Sequence, residues 1–483
     1  MKSRYISVKK LGGMIALFTF IIINLNFTSI FAMEDSTTKG IVLNQVRSSI
    51  EHYYYKDVPD KILNLNTPEE IVRALNEPYT KYMSKEEYDD FVNAIDMNIC
   101  GIGVYVGIDE KGVLVKDVIK GSPAEEIGIK SGDIILKAND NLFAGMKLDD
   151  AVKYIKGKEG TNVKLLIKRG NENLYFNVER RKIKLPSAEG KVIDKHIGYI
   201  AIHSFSTDTN NYFNDILKEL KTQNVDSYII DLRNNGGGYM LTARQIAGHF
   251  IGNNTCLIVK NREGEEQKLT AITQNETIDK PTIFLINQYS ASASEILSSA
   301  IKDYGKAYFI GTKTFGKGVA QVMFRLYDGS ALKVTTEEFF SPLGNKINNI
   351  GVKPDLMIDA TDSLKVAKTL LNSLCIYDYK KFKTFYNVPQ NKKFTIVFSK
   401  SIDCNNIIDD SIELIEASSG KKVAFDIKKS GKYNIMLIPK HELLKNNCYI
   451  LTINDSIEKE NGEKLKERII SIINTKSNWY RLK

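Results

Sequence analysis

A multidomain α/β and β fold is what this chain predicts, on three observations. Its 483 residues are enough for about three domains, each with its own core. From 185 to 380, apolar runs of strand length alternate with helical stretches, the mark of α/β organisation. At 98–182, and again at 386–475, short alternating segments broken by turn residues read as β-rich domains. With 43% apolar and 26% charged residues, the composition is that of an ordinary globular protein.

The first 32 residues begin with four basic side chains, Lys2, Arg4, Lys9 and Lys10, followed by an apolar run over 11–25. At about 15 residues the run suits the hydrophobic stretch of an export signal better than a full membrane span. Residues 1–32 are therefore read as a signal peptide ending at Ala32, with an uncleaved membrane anchor as the alternative. Either outcome places the rest of the chain outside the cytoplasm, secreted or held at the outer face of the cell membrane. Residues 37–97 read as a helical region. Ile41, Val42, Val46, Ile50 and Tyr53 recur at helical spacing, and Thr67-Pro68-Glu69-Glu70 is a cap with proline at the first helical position. Ser84 and Glu87 form a capping box.

From 98 to 182 the period changes. Ile102, Val104, Val106 and Ile108 alternate, Asp109 to Gly112 can turn, and 113–119 returns. Ser122-Pro123-Ala124-Glu125 opens a short helix; 132–138 is a strand, 148–155 a second helix, and 163–167 pairs with 174–178. Gly101-Ile102-Gly103-Val104 stands before the first paired strand, and with this order of elements the segment resembles a PDZ domain. The resemblance implies that Gly101, Ile102, Gly103 and Val104 offer backbone N–H groups to a peptide's terminal carboxylate, while the peptide adds a strand to the sheet edge. Glycines suit such a loop, because backbone donors converge on an anion only where Cβ atoms are absent. A glycine-rich bulge is the bland alternative. A dinucleotide fingerprint is rejected: the third glycine, Gly107, falls one position late, and a strand follows where a helix is needed.

Within 185–380, segments 197–202, 227–232, 282–287 and 307–311 read as buried strands, and 212–220 and 293–302 as helices. Beyond 385, strands return at 394–398, 435–438 and 449–453. The run Phe394-Thr-Ile-Val-Phe398-Ser-Lys400, the pair Ile438-Pro439 and the turn Asn461-Gly462 resemble a bacterial immunoglobulin-like domain over 386–475. The net charge of +9 is spread thinly, with no basic block carrying interleaved aromatics, so nucleic-acid binding is excluded. Cys100, Cys256, Cys375, Cys404 and Cys448 show no CxxC and an odd count, so neither a metal site nor a disulfide scaffold is expected. Cys404 and Cys448 fall in one domain, and a bond between them stays open.

Three segments of the α/β region carry chemistry. One is Ile230-Asp231-Leu232-Arg233-Asn234-Asn235 with Gly236, Gly237 and Gly238, a buried strand running into a triple glycine. Another is Ser290-Ala291-Ser292-Ala293-Ser294-Glu295, again after a buried strand and opening a helix. The last is Thr314-Phe315-Gly316-Lys317-Gly318, with Gln321 four residues past the lysine. None of the five histidines, His52, His196, His203, His249 and His441, falls in them. An amide hydrolase built here needs another base, and lysine is the available one. A solvated lysine is protonated at neutral pH; lowering its pKa by roughly three units costs about 4 kcal/mol of differential solvation, which a dry pocket can impose. Lys317, between Gly316 and Gly318 and beside Phe315, has the small and apolar neighbours for it. A serine at a strand-to-helix junction is exposed, the amide after it points toward the site, and Gly237 can supply a second N–H for an oxyanion.

These segments, in this order, resemble the carboxyl-terminal processing proteases, serine–lysine peptidases with an embedded PDZ domain. The resemblance covers roughly 40–375. It implies that Ser292 is the nucleophile, Lys317 the general base and Gln321 the residue that holds the lysine, with the amides of Gly237 and Ala293 as oxyanion donors. It also implies a PDZ domain that recognises the apolar carboxyl terminus of an unfolded or tail-exposed protein substrate, with no metal or other cofactor. Gly236 departs from the family pattern, where many members carry proline, and the carboxyl-terminal immunoglobulin-like segment is not part of the usual pattern. A homodimer, as in some relatives, and membrane attachment through the amino terminus stay open.

Three rivals are weighed against this reading. The run from Gly311 to Lys317 almost completes a phosphate-binding loop, but Gly318 replaces the hydroxyl residue that would ligate Mg²⁺. Ser299 and Lys302 share the Ser-x-x-Lys spacing of penicillin-binding proteins without their partner motifs, and read as helix face and surface. The non-enzyme alternative is a binding scaffold of PDZ and immunoglobulin-like domains on an inactive core. His203 and His249, among apolar neighbours, read as core or boundary residues.

Overall fold

The computed structural model describes residues 35–373, 379–385, 387–402, 407, 411–417, 419–445, 447–459, 461–465 and 467–475. The chain divides into two compact units, one of residues 83–187 and one made of the segments on either side. The mixed α/β and β class expected from the sequence is the class observed.

The amino-terminal segment is α1 (Asp35–Tyr53), α2 (Asp60–Leu63), α3 (Pro68–Ala74) and the short strand β1 (Lys81–Met83). Val42, Val46 and Ile50 form the buried stripe of α1 and pack with Ile71 against Leu326, Leu332 and Val334. The Thr67 hydroxyl accepts the Glu70 N–H at 3.2 Å, with Pro68 in the first turn, as predicted. The expectation of unbroken helical character to residue 97 fails at β1, which a sheet edge takes up.

The unit of residues 83–187 starts with α4 (Lys85–Ile95), whose capping box closes as the sequence implies: the Ser84 hydroxyl accepts from Glu87 N, and the Glu87 carboxylate accepts from Ser84 N. This helix belongs here and not with α1 to α3. There follow β2 (Asn98–Gly101), β3 (Val104–Asp109), β4 (Gly112–Val118), α5 (Pro123–Glu126), β5 (Ile134–Ala138), β6 (Asn141–Leu142), α6 (Leu148–Ile155), β7 (Asn162–Arg169), β8 (Glu172–Glu179) and β9 (Arg181–Lys184). The sheet runs β3-β4-β5-β7-β8 with β6 on β5, and β2 pairs with β9 separately. Its core holds Val113, Val115, Ile135, Phe143, Ile155 and Ile167. Ile102, expected in a strand, lies instead in the turn between β2 and β3.

The α/β core comprises β10 (Ala188–Ile193), β11 (Ile197–Ile202), α7 (Thr209–Thr222), β12 (Ser227–Asp231), α8 (Met240–Ile251), β13 (Thr255–Lys260), β14 (Glu266–Thr270), β15 (Thr282–Ile286), α9 (Ala293–Asp303), β16 (Tyr308–Gly311), β17 (Val319–Arg325), β18 (Ala331–Phe340), β19 (Leu356–Met357) and α10 (Ala360–Ser373). One sheet runs β10-β11-β12-β15-β16-β19, parallel throughout except at β10–β11. β12 and β15 are buried along their whole length, as parallel central strands are. Alternate residues serve opposite faces. Ile230, Phe284, Ile286 and Phe309 pack under α7, α8 and α9, while Ile229, Ile283, Leu285 and Ile310 face α10. A second sheet, β1-β18-β13-β14 with β17 on β18, was not foreseen: β18 carries Lys333, Glu337 and Glu338 and so lacks an apolar run.

The carboxyl-terminal domain is β20 (Tyr379–Phe385), β21 (Phe394–Val397), β22 (Ile412–Glu416), β23 (Phe425–Lys429), β24 (Asn434–Pro439), β25 (Cys448–Ile453) and β26 (Arg468–Asn474). Two sheets, β20-β26-β25-β22 and β21-β24-β23, enclose Phe394, Leu414, Leu437, Tyr449, Leu451 and Ile473. The outer face of the four-stranded sheet is also covered. Ile415, Ile450, Ile470 and Ile472 join one core with Val366, Ala367, Leu370 and Leu371 of α10 and with the six-stranded sheet. Cys448 is buried there, whereas Cys375, Cys404 and the segment 1–32 lie outside the described residues.

Candidate active site

β12, β15 and β16 are adjacent and parallel, so their carboxyl ends point the same way, side by side. The triple glycine follows β12, the serine run follows β15, and the lysine loop follows β16. Sheet order alone thus gathers three motifs separated by some 80 residues of sequence.

The first two loops are bolted together by buried polar groups. Ser290 donates its hydroxyl to Leu232 O at 2.8 Å, Ala291 N donates to Asn235 O at 3.0 Å, and the Ser294 hydroxyl donates to the same oxygen at 2.8 Å. Asn234, at φ 63°, donates its N–H to Asn287 Oδ1 at 3.0 Å, and Asn287 Nδ2 returns to Asn234 Oδ1 at 2.8 Å. Below them, Arg233 is paired with Asp231, which also accepts the Tyr199 hydroxyl at 2.7 Å.

Ser292 ends the turn at φ 55° and ψ −112°, a conformation that costs a non-glycine residue of order 1–3 kcal/mol and is held by its surroundings. It immediately precedes α9, so the Ala293 N–H is the first of the helix; among the described residues it makes no hydrogen bond. Gly237, at φ 110°, lies against the same spot. A Cβ there would sit 2.9 Å from Ser292 Cβ and 3.1 Å from Ala293 N, so only glycine fits. Its own N–H, however, donates to Asn235 Oδ1 at 2.9 Å, so the second expected oxyanion donor is shared with a side chain. Gly236 is exposed, and a Cβ on it meets nothing within 4 Å, so the departure from proline leaves the loop geometry in place.

Glu295, fully buried, joins the serine to the lysine. Its Oε2 accepts the Ser292 N–H at 2.9 Å and the Lys317 N–H at 2.8 Å, and its Oε1 accepts the Gly316 N–H and the Thr314 hydroxyl, each at 2.6 Å. Burial pushes this carboxyl above its ordinary range, against the donors that hold the ionised form. In the sequence, Glu295 and Thr314 stand as members of the motifs with nothing local to mark either for a role.

The Lys317 amine is pushed down to about 8, chiefly by burial and further by the nearby Lys333, with Glu77 and Glu295 acting the other way. It lies 5.0 Å from the centre of the Tyr79 ring. Tyr79 and Glu77 come from a segment more than 200 positions upstream, and nothing in the local sequence marks them. Gln321 lies on β17 beside a bulge, opposite Thr335, and its Nε2 donates to Val319 O at 3.0 Å. That bond ties Gln321 to its own strand, while Glu295 accepts the backbone N–H of Lys317.

The histidines stand apart from these loops. His249 is buried on α8 between Glu276 O at 2.5 Å and Asn210 Oδ1 at 3.3 Å, and desolvation pushes it down to about 4. His203, expected in the core or at its boundary, is exposed, 3.6 Å from Glu189, because its side chain leaves the end of β11 toward solvent-facing β10. Ser299, read as helix face, lies buried in α9 and donates to Ile296 O, while Lys302, read as surface, is partly exposed and pairs with Asp355 at 2.6 Å. Among the described residues no group of three or more His, Cys, Asp or Glu is placed to hold a metal ion, and no helix is long and apolar enough to cross a membrane.

In the 83–187 unit, the loop from Gly101 to Val104 is fixed by its carbonyls. Ala124 N donates to Ile102 O at 2.8 Å, and Ile119 N and the Ser122 hydroxyl donate to Gly103 O at 2.9 and 3.2 Å. Gly103 is at φ 86°, and a Cβ on it would come 2.1 Å from Ser122 Cβ. β3, which leaves this loop, is the edge of its sheet, with one side of its backbone open to a further strand.

Comparison with known families agrees with these features. Residues 196–358 match the profile of peptidase family S41, residues 114–169 that of a PDZ domain, and residues 383–471 that of a bacterial Ig-like domain. A probable CtpA-like serine protease of Staphylococcus aureus (strain COL) is 30% identical over 434 residues, covering 89% of this chain and 87% of that protein. One of the same description from strain MSSA476 is 36% identical over 309 residues, 64% of this chain and 62% of that protein. Among solved structures, the photosystem II D1 C-terminal processing protease is similar with a TM-score of 0.45 at 23% identity, over 67% of this chain and 94% of its own.

Proposed function

From the premise that this chain belongs to peptidase family S41 and is a serine-type peptidase with a PDZ domain, we propose that it cleaves exported proteins near their carboxyl termini with a Ser292–Lys317 dyad. One observation carries the reading: the backbone N–H groups of Ser292 and Lys317 share a single buried carboxylate oxygen of Glu295, and the Lys317 amine is pushed down to about 8.

The chemistry follows. The neutral Lys317 amine takes the proton of Ser292 Oγ as that oxygen attacks the scissile carbonyl. The Ala293 N–H, at the positive end of α9, meets the oxyanion, with Gly237 N–H joining as it leaves Asn235. The ammonium then returns its proton to the leaving amine, and a water repeats the sequence to release the acyl group. Near pH 7 roughly a tenth of a base titrating at about 8 is neutral, enough for turnover. The PDZ domain presents the substrate: its apolar carboxyl terminus docks on β3, with the carboxylate at the Gly101–Val104 loop. The basic and apolar start of the chain supports a site of action outside the cytoplasm, secreted or tethered by the amino terminus.

The test compares the purified protein with Ser292→Ala and Lys317→Ala on an unfolded substrate with an apolar carboxyl terminus. Both substitutions are expected to abolish cleavage, at least a thousandfold, with the folded state intact. Equal cleavage by all three removes the dyad, and cleavage by none of them favours the scaffold reading.

A further inference from the structure

We propose that Tyr79 is the electrostatic partner of the base: its ring face stabilises the Lys317 ammonium that forms as Ser292 gives up its proton. The proposal rests on the reading of Lys317 as base and adds a group from the amino-terminal segment to that site.

The geometry is that of a cation held over an aromatic face, with Lys317 Nζ 5.0 Å from the ring centroid. The ring is fastened by its own turn. Glu77 accepts the Tyr79 N–H at 3.0 Å on one carboxylate oxygen and the Thr80 N–H at 2.7 Å on the other, which also takes the Thr335 hydroxyl at 2.9 Å. Thr80 Oγ1 accepts the Thr335 N–H at 3.1 Å, and Tyr55 N donates to Thr335 O at 3.0 Å. The turn is entered through Asn76, at φ 48°, and Pro78. These bonds pin it to β18, which pairs with β17, the strand that follows Lys317 directly. An aliphatic side chain would keep water out equally well; an aromatic ring adds a negative face.

The charged groups around the amine set what that face can do. Lys333, itself beside Lys81, opposes the ammonium, while Glu77 and Glu295 favour it. Burial, with Glu77, Glu295 and Tyr55, holds the Tyr79 phenol protonated, so the ring stays neutral. As the Ser292 Oγ–carbon bond forms, the proton moves to Nζ, leaving a positive amine and a negative carbonyl oxygen. The helix end answers the oxygen, and the ring answers the amine.

Lys317→Ala separates the two readings first: full peptidase activity in that variant removes the base, and this proposal with it. Given an inactive Lys317→Ala, Tyr79→Phe serves as reference for a series in which position 79 carries mono-, di- and trifluorinated phenylalanine, which keep the shape and drain the ring face. The expected result is a stepwise fall of kcat on its alkaline plateau, to about a tenth at the end of the series. In protein labelled with ¹³C at lysine Cε, the Lys317 signal is expected to titrate at progressively lower pH, by up to about one unit. Tyr79→Leu is expected to move both readouts in the same direction. A flat plateau and an unmoved titration across the fluorinated series, or titration displaced to higher pH, overturns the proposal.

Discussion

Lys317 shows how one side chain pairs reactivity with instability. In the unfolded chain its amine titrates near 10.5, and in the fold it is pushed down to about 8. Between those values the folded state binds fewer protons than the unfolded one, so stability rises with pH across that window. Below about pH 8 both states are protonated and the burial penalty stands in full, roughly 3 kcal/mol by the size of the shift. Lys317→Met is therefore expected to raise the urea midpoint near pH 7 and to lose most of that gain near pH 10, as measured by equilibrium unfolding at both values. An unchanged midpoint near pH 7 would show that the amine is not desolvated. Peptidase activity of the native protein is expected to move the same way, climbing with pH until the amine is neutral near its titration at about 8. The lysine itself was legible from its flanking glycines and the want of histidine in the motifs. What sets its acidity was not: Lys333 and Glu77 reach it only through the packing of β18 and the amino-terminal turn. Gln321 shows the converse, a residue with a role implied by the motif whose amide is turned back to Val319.

Elements decide which motifs meet. The sequence predicts the strands at 197–202, 227–232 and 282–287 within a residue of β11, β12 and β15, because central parallel strands are continuous apolar runs. It does not predict β17 and β18, where polar and charged residues such as Gln321, Lys333 and Glu337 interrupt the pattern, or β1, three residues long at a sheet edge. The loop before β3 was legible from its glycines, but the reason for Gly103 lies in a contact no local pattern encodes, the packing of Ser122 against its α-carbon. Gly103→Ala is expected to shift that loop and weaken binding of a peptide with an apolar carboxyl terminus at least tenfold. The comparison is with the same peptide amidated at its end, which is expected to bind poorly to either protein. Isothermal titration calorimetry measures both, and equal affinity of Gly103→Ala and native protein would place the carboxylate elsewhere.

At the scale of the whole molecule, the carboxyl-terminal sandwich is a wall of the α/β core and not a pendant. Ile415, Ile450, Ile470 and Ile472 complete the side of the six-stranded sheet that α10 leaves open. Each such side chain contributes about 1.5–3 kcal/mol on burial, so the group is comparable with the usual margin of stability. A chain ending at residue 373 is expected to bind a hydrophobic dye and unfold at a markedly lower temperature than the full chain; equal melting temperatures would mean that the two parts stand alone. The sequence assigned this domain from its strand pattern but could not show where it docks, since both faces of β25 are apolar and either could have pointed to solvent. A different lesson comes from the carboxylate of Glu295. Nucleophile and base take their spacing from one carboxyl group, so drawing them apart means stripping hydrogen bonds from a buried acceptor. A resting form of this peptidase is then more easily reached by barring the substrate's path than by dismantling the reactive pair, and the machinery stays assembled while it waits.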